Sequence, residues 1–210
     1  MLTLIKREIQ DNLAYFVAAA LSSAILVFVA VSLAKSSSGR EVQNYAVALF
    51  LIIPLITVLG FMTMGTSQML NDKTRKVSAF LSTLPVTRTR ILLARIITGI
   101  LAILVVLLPL LASGVILIRQ YVSPYLFPHH YLIEIFITVF LGAFACYCLG
   151  LQLGLTSTKV TIVLAVFTFP ALIISLVVIK GFALDSIILL LLLIAASLVR
   201  TWQKFVSSAF

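Results

Sequence analysis

The chain has 210 residues, of which 62% are hydrophobic and only 10% are charged, and its formal net charge is +9. A water-soluble domain carries about 45–50% apolar and about 25% charged residues, so this composition excludes a soluble globular protein and indicates a polytopic membrane protein. The basic residues lie beside apolar runs, which is typical of topology signals in a membrane protein and argues against a nucleic-acid-binding surface.

The amino terminus, MLTLIKREIQDNLAYF, predicts an amphipathic helix. Its apolar residues recur at spacings of three and four, and they are Leu2, Ile5, Ile9, Leu13 and Phe16. The intervening positions are polar or charged, and they are Lys6, Arg7, Glu8, Gln10 and Asp11. This pattern favours an interfacial helix over residues 1–13 that lies in the inner headgroup layer, with contacts from Ile5, Lys6, Arg7 and Ile9. The alternative is a plain cytoplasmic extension of the first span.

Six apolar runs follow, and a run of about 20 residues is what crosses the hydrocarbon core of a bilayer. They are Ala14–Ala34, Ala46–Gly65, Ile91–Ile118, Tyr131–Leu155, Val160–Ile179 and Ser186–Val199. The last run is short, so we expect this span to include residues around Phe182. The first run is too long for the core of a cleaved signal peptide. The predicted fold class is an all-α membrane protein with six transmembrane helices in a single domain, residues 1–210.

The basic residues predict that both termini are cytoplasmic. In that orientation 11 of the 15 lysines and arginines lie on the inner side, as the positive-inside rule requires. The outer set is Lys35, Arg40, Arg119 and Lys180. Within the spans charged residues are rare, and we expect Arg95 and Glu134 to lie near span ends, where long side chains reach the interface.

Motifs for catalysis are absent from the sequence. It contains no G-x-x-x-x-G-K-[ST] loop for ATP phosphates, no H-E-x-x-H and no G-x-S-x-G. Its six acidic residues do not cluster within one span. We therefore predict that the chain is not an enzyme, has no catalytic residues and binds no metal or cofactor of its own.

The sequence contains two pairs of potential ligand residues. Cys146 and Cys148 lie two positions apart in an apolar run, so a helix points them to different faces and we expect buried core residues without a disulfide. His129 and His130 follow Pro128 and admit two interpretations: an external ligand site, for haem iron or another metal, or two exposed loop histidines.

The stretch LNDKTRKVSAFLSTLPVTRTRILLARIITG, between the second and third runs, concentrates basic charge. Val77, Phe80, Leu81 and Leu84 follow the spacing of one helical face. Asn71 or Asp72 can cap the amino end of this helix, and Pro85 ends it. Residues 71–90 are thus predicted to form a short cytoplasmic helix, a turn and a re-entry. It is either a positive-inside anchor or a docking element for a cytoplasmic partner.

The segment NDKTRKVSAFLSTLPVTRTRILLARII resembles the cytoplasmic segment between the second and third spans of type-2 ABC exporter permeases. Members of that family have an acidic residue there, an apolar helix with L-L-x-x-P-[VL]-[ST]-R, and then I-L-L-x-[KR]. The matching residues are Asp72, Phe80, Leu81, Leu84, Pro85, Val86, Thr87, Arg88, Ile91, Leu92, Leu93 and Arg95. Where the family has Gly-Thr, this chain has Lys76-Val77, so docking is expected to use more positive charge.

The resemblance implies the transmembrane permease subunit of an ABC exporter in a bacterial plasma membrane, with an amphipathic amino-terminal helix and 71–90 as a coupling segment. It implies a homodimer, or a heterodimer with a second permease, that contacts membrane lipid and no nucleic acid. Separate cytoplasmic ABC ATPase subunits would bind ATP and Mg. The residues expected to dock them are Asp72, Lys73, Arg75, Lys76, Val77, Phe80, Leu81, Leu84 and Pro85.

Substrate and alternatives remain open at this point. An apolar lining favours an amphipathic, lipid-like or peptide substrate. The later run LGLQLGLTSTKVTIVLAVFTFPALIISLVVI is similar to the membrane subunit of the cytochrome c maturation haem exporter, which is one alternative. The other is a non-transport membrane scaffold protein whose basic loop binds anionic lipid.

Overall fold

A computed structural model describes residues 2–36, 58–70, 88–121, 129–156, 159–181 and 184–207. In these ranges the chain is helical except at Asn12 and Gly181, which confirms the all-α prediction for the described residues. The helices are α1 (Leu2–Asp11), α2 (Leu13–Ser36), α3 (described over residues 58–70), α4 (Arg88–Tyr121), α5 (His129–Thr156), α6 (Lys159–Lys180) and α7 (Leu184–Ser207).

Four of these helices, α4 to α7, are long and apolar enough to cross a membrane. Their candidate spans are Thr89–Ala112, Ile133–Leu155, Val160–Lys180 and Leu184–Phe205. The apolar stretch of α2, Leu13–Val29, is shorter. Most of the predicted second span lies outside the described residues, and α3 continues past Gly65 to residue 70. The protein is therefore a membrane protein with at least four helices of spanning length.

The last predicted span was too short. The sequence pattern ended it at Val199, whereas the apolar helix runs for 22 residues, Leu184–Phe205. Its added length includes Arg200 and Lys204, because long basic side chains can reach the interface without interrupting the hydrogen bonds of a helix. Phe182, which we expected to supply the missing length, lies outside the described residues.

The residue that follows α6 is a glycine. Gly181 has a φ of 73°, a backbone conformation that costs glycine little and other residues more. The hydroxyl of Ser186, in the first turn of α7, donates to the carbonyl oxygen of Gly181 at 2.8 Å. This contact satisfies a carbonyl group that directly follows the end of α6.

α5 is the central helix of the described bundle. It packs against α4, α6 and α7, while α1 and α2 pack against α4. Cys146 and Cys148 are both buried on α5 and both are free thiols. The prediction that they are core residues without a disulfide is thereby confirmed.

Glycines bring α3 and α5 into backbone contact. A methyl group on Gly65 of α3 would lie 2.5 Å from the carbonyl oxygen of Tyr147 on α5. A methyl group on Gly150 of α5 would likewise lie 2.5 Å from the carbonyl oxygen of Met62. Gly150 and Gly154 form a G-x-x-x-G pair, a pattern that allows close approach of helices in membranes. The two helices are consequently a tightly joined unit.

Candidate functional site

The predicted docking residues cannot be compared with the structure. All nine of them, from Asp72 to Pro85, lie in residues 71–87, outside the described ranges. The flanks of this segment are described: α3 is described up to residue 70, and α4 begins at Arg88. The coupling helix itself stays a prediction.

The amino-terminal segment is helical over Leu2–Asp11, and this α1 packs against α4 and α2. On it Lys6 is exposed and Ile9 is half-buried, while the side chains of Ile5 and Arg7 lie outside the described set. The segment predicted to be an amphipathic helix is thus helical over Leu2–Asp11. The location of α1 at the membrane surface stays a prediction.

The predicted interfacial helix, residues 1–13, ends earlier than expected because of Asn12. Asn12 is a buried turn residue between α1 and α2, and its side-chain amide donates to the carbonyl oxygen of Glu8 at 2.8 Å. Its own carbonyl accepts from the backbone amides of Tyr15 and Phe16. Asn12 therefore finishes one helix and starts the next, in accordance with the tendency of asparagine to bond neighbouring backbone groups.

Two charged residues lie where the sequence did not predict them. Arg95 was expected to reach the interface, and Glu8 was assigned to the polar face of the amino-terminal helix. Instead the Arg95 side chain is only 3% exposed, and its Nε donates to Glu8 Oε1 at 3.3 Å. Burying the guanidinium without a partner would be costly in the apolar surroundings of Thr89–Ala112, so a carboxylate from another helix compensates it.

Tyr147 on α5 forms hydrogen bonds to residues on two other helices. Its hydroxyl lies 2.8 Å from Gln68 Oε1 on α3 and 2.8 Å from the backbone carbonyl oxygen of Arg95 on α4. Tyr147 is fully buried, and its ring lies against Gly99, where a methyl group would clash with it. One buried phenol thus links three helices.

The amide orientation of Gln68 follows from hydrogen-bond counting. A phenol has one hydrogen and can donate to one acceptor at a time, and Gln68 Nε2 is buried without a hydrogen-bond partner. Turning the amide by 180° lets Nε2 donate to the Tyr147 oxygen, while the phenol donates to the Arg95 carbonyl. The assignment of amide O and N atoms is made on such networks, and this orientation gives each of the two contacts of the phenol one donor and one acceptor.

The guanidinium also contacts sulfur. Arg95 Nη1 lies 3.1 Å from the thioether sulfur of Met69 on α3. Thioether sulfur is a weak, polarizable acceptor. We name the set Glu8, Gln68, Met69, Arg95 and Tyr147 the polar cluster.

An aromatic row on α5 leads to the polar cluster. Phe136, Phe140, Phe144 and Tyr147 stack in succession, with ring centroids 6.4–6.5 Å apart. The three phenylalanines are half-buried. Three aromatic rings therefore precede Tyr147 along one face of α5.

Among the described residues, no three His, Cys, Asp or Glu side chains lie close enough together to hold a metal ion. His129 and His130 are the first residues of α5, so the interpretation that places them in a loop was wrong, and their exposure lies outside what the structure describes. A helix with Pro128 immediately before it is compatible with the preference of proline for helix beginnings. Whether these histidines bind a ligand stays a prediction, because their side chains lie outside the described set.

Comparisons with known proteins gave no match. No protein-family model, no curated protein and no solved structure matched the chain.

Sequence reasoning missed Gln68 and Tyr147 entirely. Both are polar residues in apolar helices, and such residues usually face the bundle interior in membrane proteins. That general signal could have placed them inward. It could not have paired Tyr147 with Gln68, 79 positions away, or Arg95 with Glu8, 87 positions away.

Proposed function

We propose that this chain is the transmembrane permease subunit of an ATP-driven ABC exporter, with six spans and both termini in the cytoplasm of a bacterium. Two such subunits, identical or paired with a second permease, form the translocation pathway. Cytoplasmic ATPase subunits dock on residues 71–90 and on the amino-terminal helix. The chain performs no bond chemistry and converts movement of its partners into a change of access.

The observation that best supports the proposal is the bridge made by Tyr147. Gln68 lies on α3, shortly before the proposed docking segment, and Arg95 lies on α4, shortly after it. Both are bonded to the same phenol at 2.8 Å. A force applied to residues 71–87 therefore reaches α5 from both sides of the segment at once.

Close packing favours transmission over local deformation. Gly65 and Gly150 hold the backbones of α3 and α5 in contact, so these helices cannot approach further. Packed interiors are stiff and pass small displacements on to their neighbours. A push on the docking segment would consequently move α3 and α5 together.

Exposed apolar side chains support a membrane location for the rest of the bundle. On α6 these include Val160, Val163, Phe167 and Ile179. Lipid covers such surfaces without penalty. An amphipathic, lipid-like or peptide substrate fits the same apolar character, and the pathway would form only when a second permease is present.

Co-purification from native membranes tests the proposal. We expect the chain to bring down a subunit that hydrolyses ATP, and Phe80→Asp or Leu81→Asp to reduce its recovery at least tenfold, because a carboxylate would enter the predicted apolar docking face. Ser82→Asp adds the same charge on the opposite predicted face and serves as the matched control, with recovery unchanged.

Two outcomes contradict the proposal. One is that no ATP-hydrolysing subunit is recovered with the unaltered chain. The other is that Phe80→Asp and Ser82→Asp behave alike, while binding of the chain's basic segment to vesicles follows their content of anionic lipid. That second pattern would favour the scaffold protein with a lipid-binding loop.

A further inference from the structure

We propose that the Glu8–Arg95 ion pair is a latch that fastens the amino-terminal helix to the start of α4. The latch deepens the proposed function, on which its role in transport rests, because it joins the two elements expected to contact the ATPase. Both residues of the ion pair belong to this chain, so its effect on the position of α1 requires no partner protein. Glu8 and Arg95 therefore can be studied without any partner protein.

The latch is strong because Arg95 has a buried charge. Its side chain is 3% exposed, whereas the side chain of Glu8 is 18% exposed. A charge in apolar surroundings is stabilised by an opposite charge in contact with it, so loss of the Glu8 carboxylate removes a stabilising contact of the buried guanidinium. Arg95 consequently holds α1 in place, and the more exposed Glu8 is the member that can leave.

The turn at Asn12 determines how α1 would move. A single residue separates α1 from α2, and it is buried and hydrogen-bonded to the carbonyl of Glu8. A helix joined through one residue can swing only about that residue. With the pair intact, α1 is held at both Asn12 and Glu8, so it follows α4 as a rigid body.

The Glu8–Arg95 ion pair and the hydrogen bonds of Tyr147 have one residue in common, Arg95. The backbone carbonyl of Arg95 bonds the phenol of Tyr147, and its side chain bonds Glu8. A single residue thus joins α1 to α4 and α5. Movement of the docking segment and movement of the amino-terminal helix would be coupled at Arg95.

Pulsed electron paramagnetic resonance on the full chain in lipid nanodiscs tests the latch. Spin labels are placed at Gln10→Cys on α1 and Arg90→Cys on α4, both of which are exposed. The native Cys146 and Cys148 are buried, and a chain without the introduced cysteines measures any labelling there. We expect one narrow distance distribution.

Variants of Glu8 and Arg95 test whether the ion pair holds α1 against α4. Glu8→Gln should broaden the distribution at least twofold, and Lys6→Gln, which neutralises an exposed charge on the same helix, should leave it narrow. The exchange Glu8→Arg with Arg95→Glu should restore the narrow distribution. Glu8→Asp, a milder change that withdraws the carboxylate by one methylene, should broaden it partially and is available if the exchange does not fold.

The latch is wrong if Glu8→Gln and Glu8→Asp both leave the distribution as narrow as Lys6→Gln does. It is also wrong if the exchange variant folds and its distribution is as broad as that of Glu8→Gln. Neither result depends on an ATPase. A failure of the latch is therefore distinguishable from a failure of the proposed exporter function, which co-purification tests.

Discussion

α5 and α6 are neighbouring apolar helices of spanning length, yet they differ in what surrounds them. The chain buries 44% of the span of α5 and only 22% of the span of α6. On α5, Cys146 and Tyr147 are completely buried, whereas on α6 Ile179 is 82% exposed. The two helices thus have similar composition and opposite environments.

The difference shows that apolar character does not predict burial in a membrane protein. Lipid is as apolar as a leucine side chain, so no hydrophobic force drives α6 into the bundle. Contact is determined instead by small residues that allow close approach, such as Gly150, and by polar residues that require partners, such as Tyr147. Substitutions on the two helices should separate these contributions.

The largest effect is expected for Gly150→Ala on α5. The added methyl group would lie 2.5 Å from the carbonyl oxygen of Met62 and 3.1 Å from the backbone nitrogen of Thr66. Backbone atoms cannot rotate away as side chains do, so α3 and α5 must separate. We expect a loss of about 3 kcal/mol in the free energy of unfolding, measured by denaturation in mixed micelles.

Gly142→Ala on the same helix is the control for helix propensity. Its methyl group meets only a side-chain atom of Ile173, at an ordinary contact distance of 3.7 Å. Alanine is favoured over glycine in a helix by about 1 kcal/mol, so stability should stay equal or rise. Equal losses for Gly142→Ala and Gly150→Ala would refute the role of backbone contact.

An intermediate effect is expected for Tyr147→Phe. The change removes the hydroxyl and leaves the buried amide of Gln68 without a partner, which costs about 2 kcal/mol. Adding Gln68→Leu should recover most of this loss, since replacing both partners of a buried hydrogen bond is nearly neutral. The same denaturation measurement applies, with Tyr15→Phe on α2 as the control at an exposed tyrosine.

The bridge would be refuted by two results for Tyr147→Phe. One is a loss no greater than that of Tyr15→Phe. The other is additivity of Tyr147→Phe and Gln68→Leu, because independent sites add and bonded residues do not.

The smallest effect is expected for Phe167→Leu on α6. The side chain of Phe167 is 64% exposed, and lipid accommodates either residue. Surface substitutions of this kind change stability by less than about 0.5 kcal/mol. A loss comparable to that of Tyr147→Phe would mean that α6 is covered by protein, and chemical cross-linking of the membrane-bound chain would then identify the covering surface.

Much of the fold was predictable because lipid imposes a simple rule on sequence. A span needs a long apolar run, and the third to fifth predicted spans lie within α4, α5 and α6. The last span was too short because Arg200 and Lys204 ended the apolar run without ending the helix. Helix ends near an interface are therefore poorly marked by charge.

The candidate site was less predictable, because its contacts join distant positions. The pattern of the first residues correctly indicated a helix, but it placed Glu8 on the outer polar face. Only the position of α4 reveals that Glu8 faces a buried Arg95. Three-residue and four-residue periodicity reports the faces of one helix and carries no information on its partner. The predicted docking residues lie outside the described ranges and stay predictions.

The central claim is that this chain works with an ATP-hydrolysing partner, and native mass spectrometry of the complex extracted from its own membrane tests that claim most directly. The account predicts an assembly of two permease chains with two ATPase subunits, whose ATP hydrolysis is lost together with the subunits in Phe80→Asp. A chain that is recovered only as itself, with lipid and without a nucleotide-hydrolysing subunit, would contradict it.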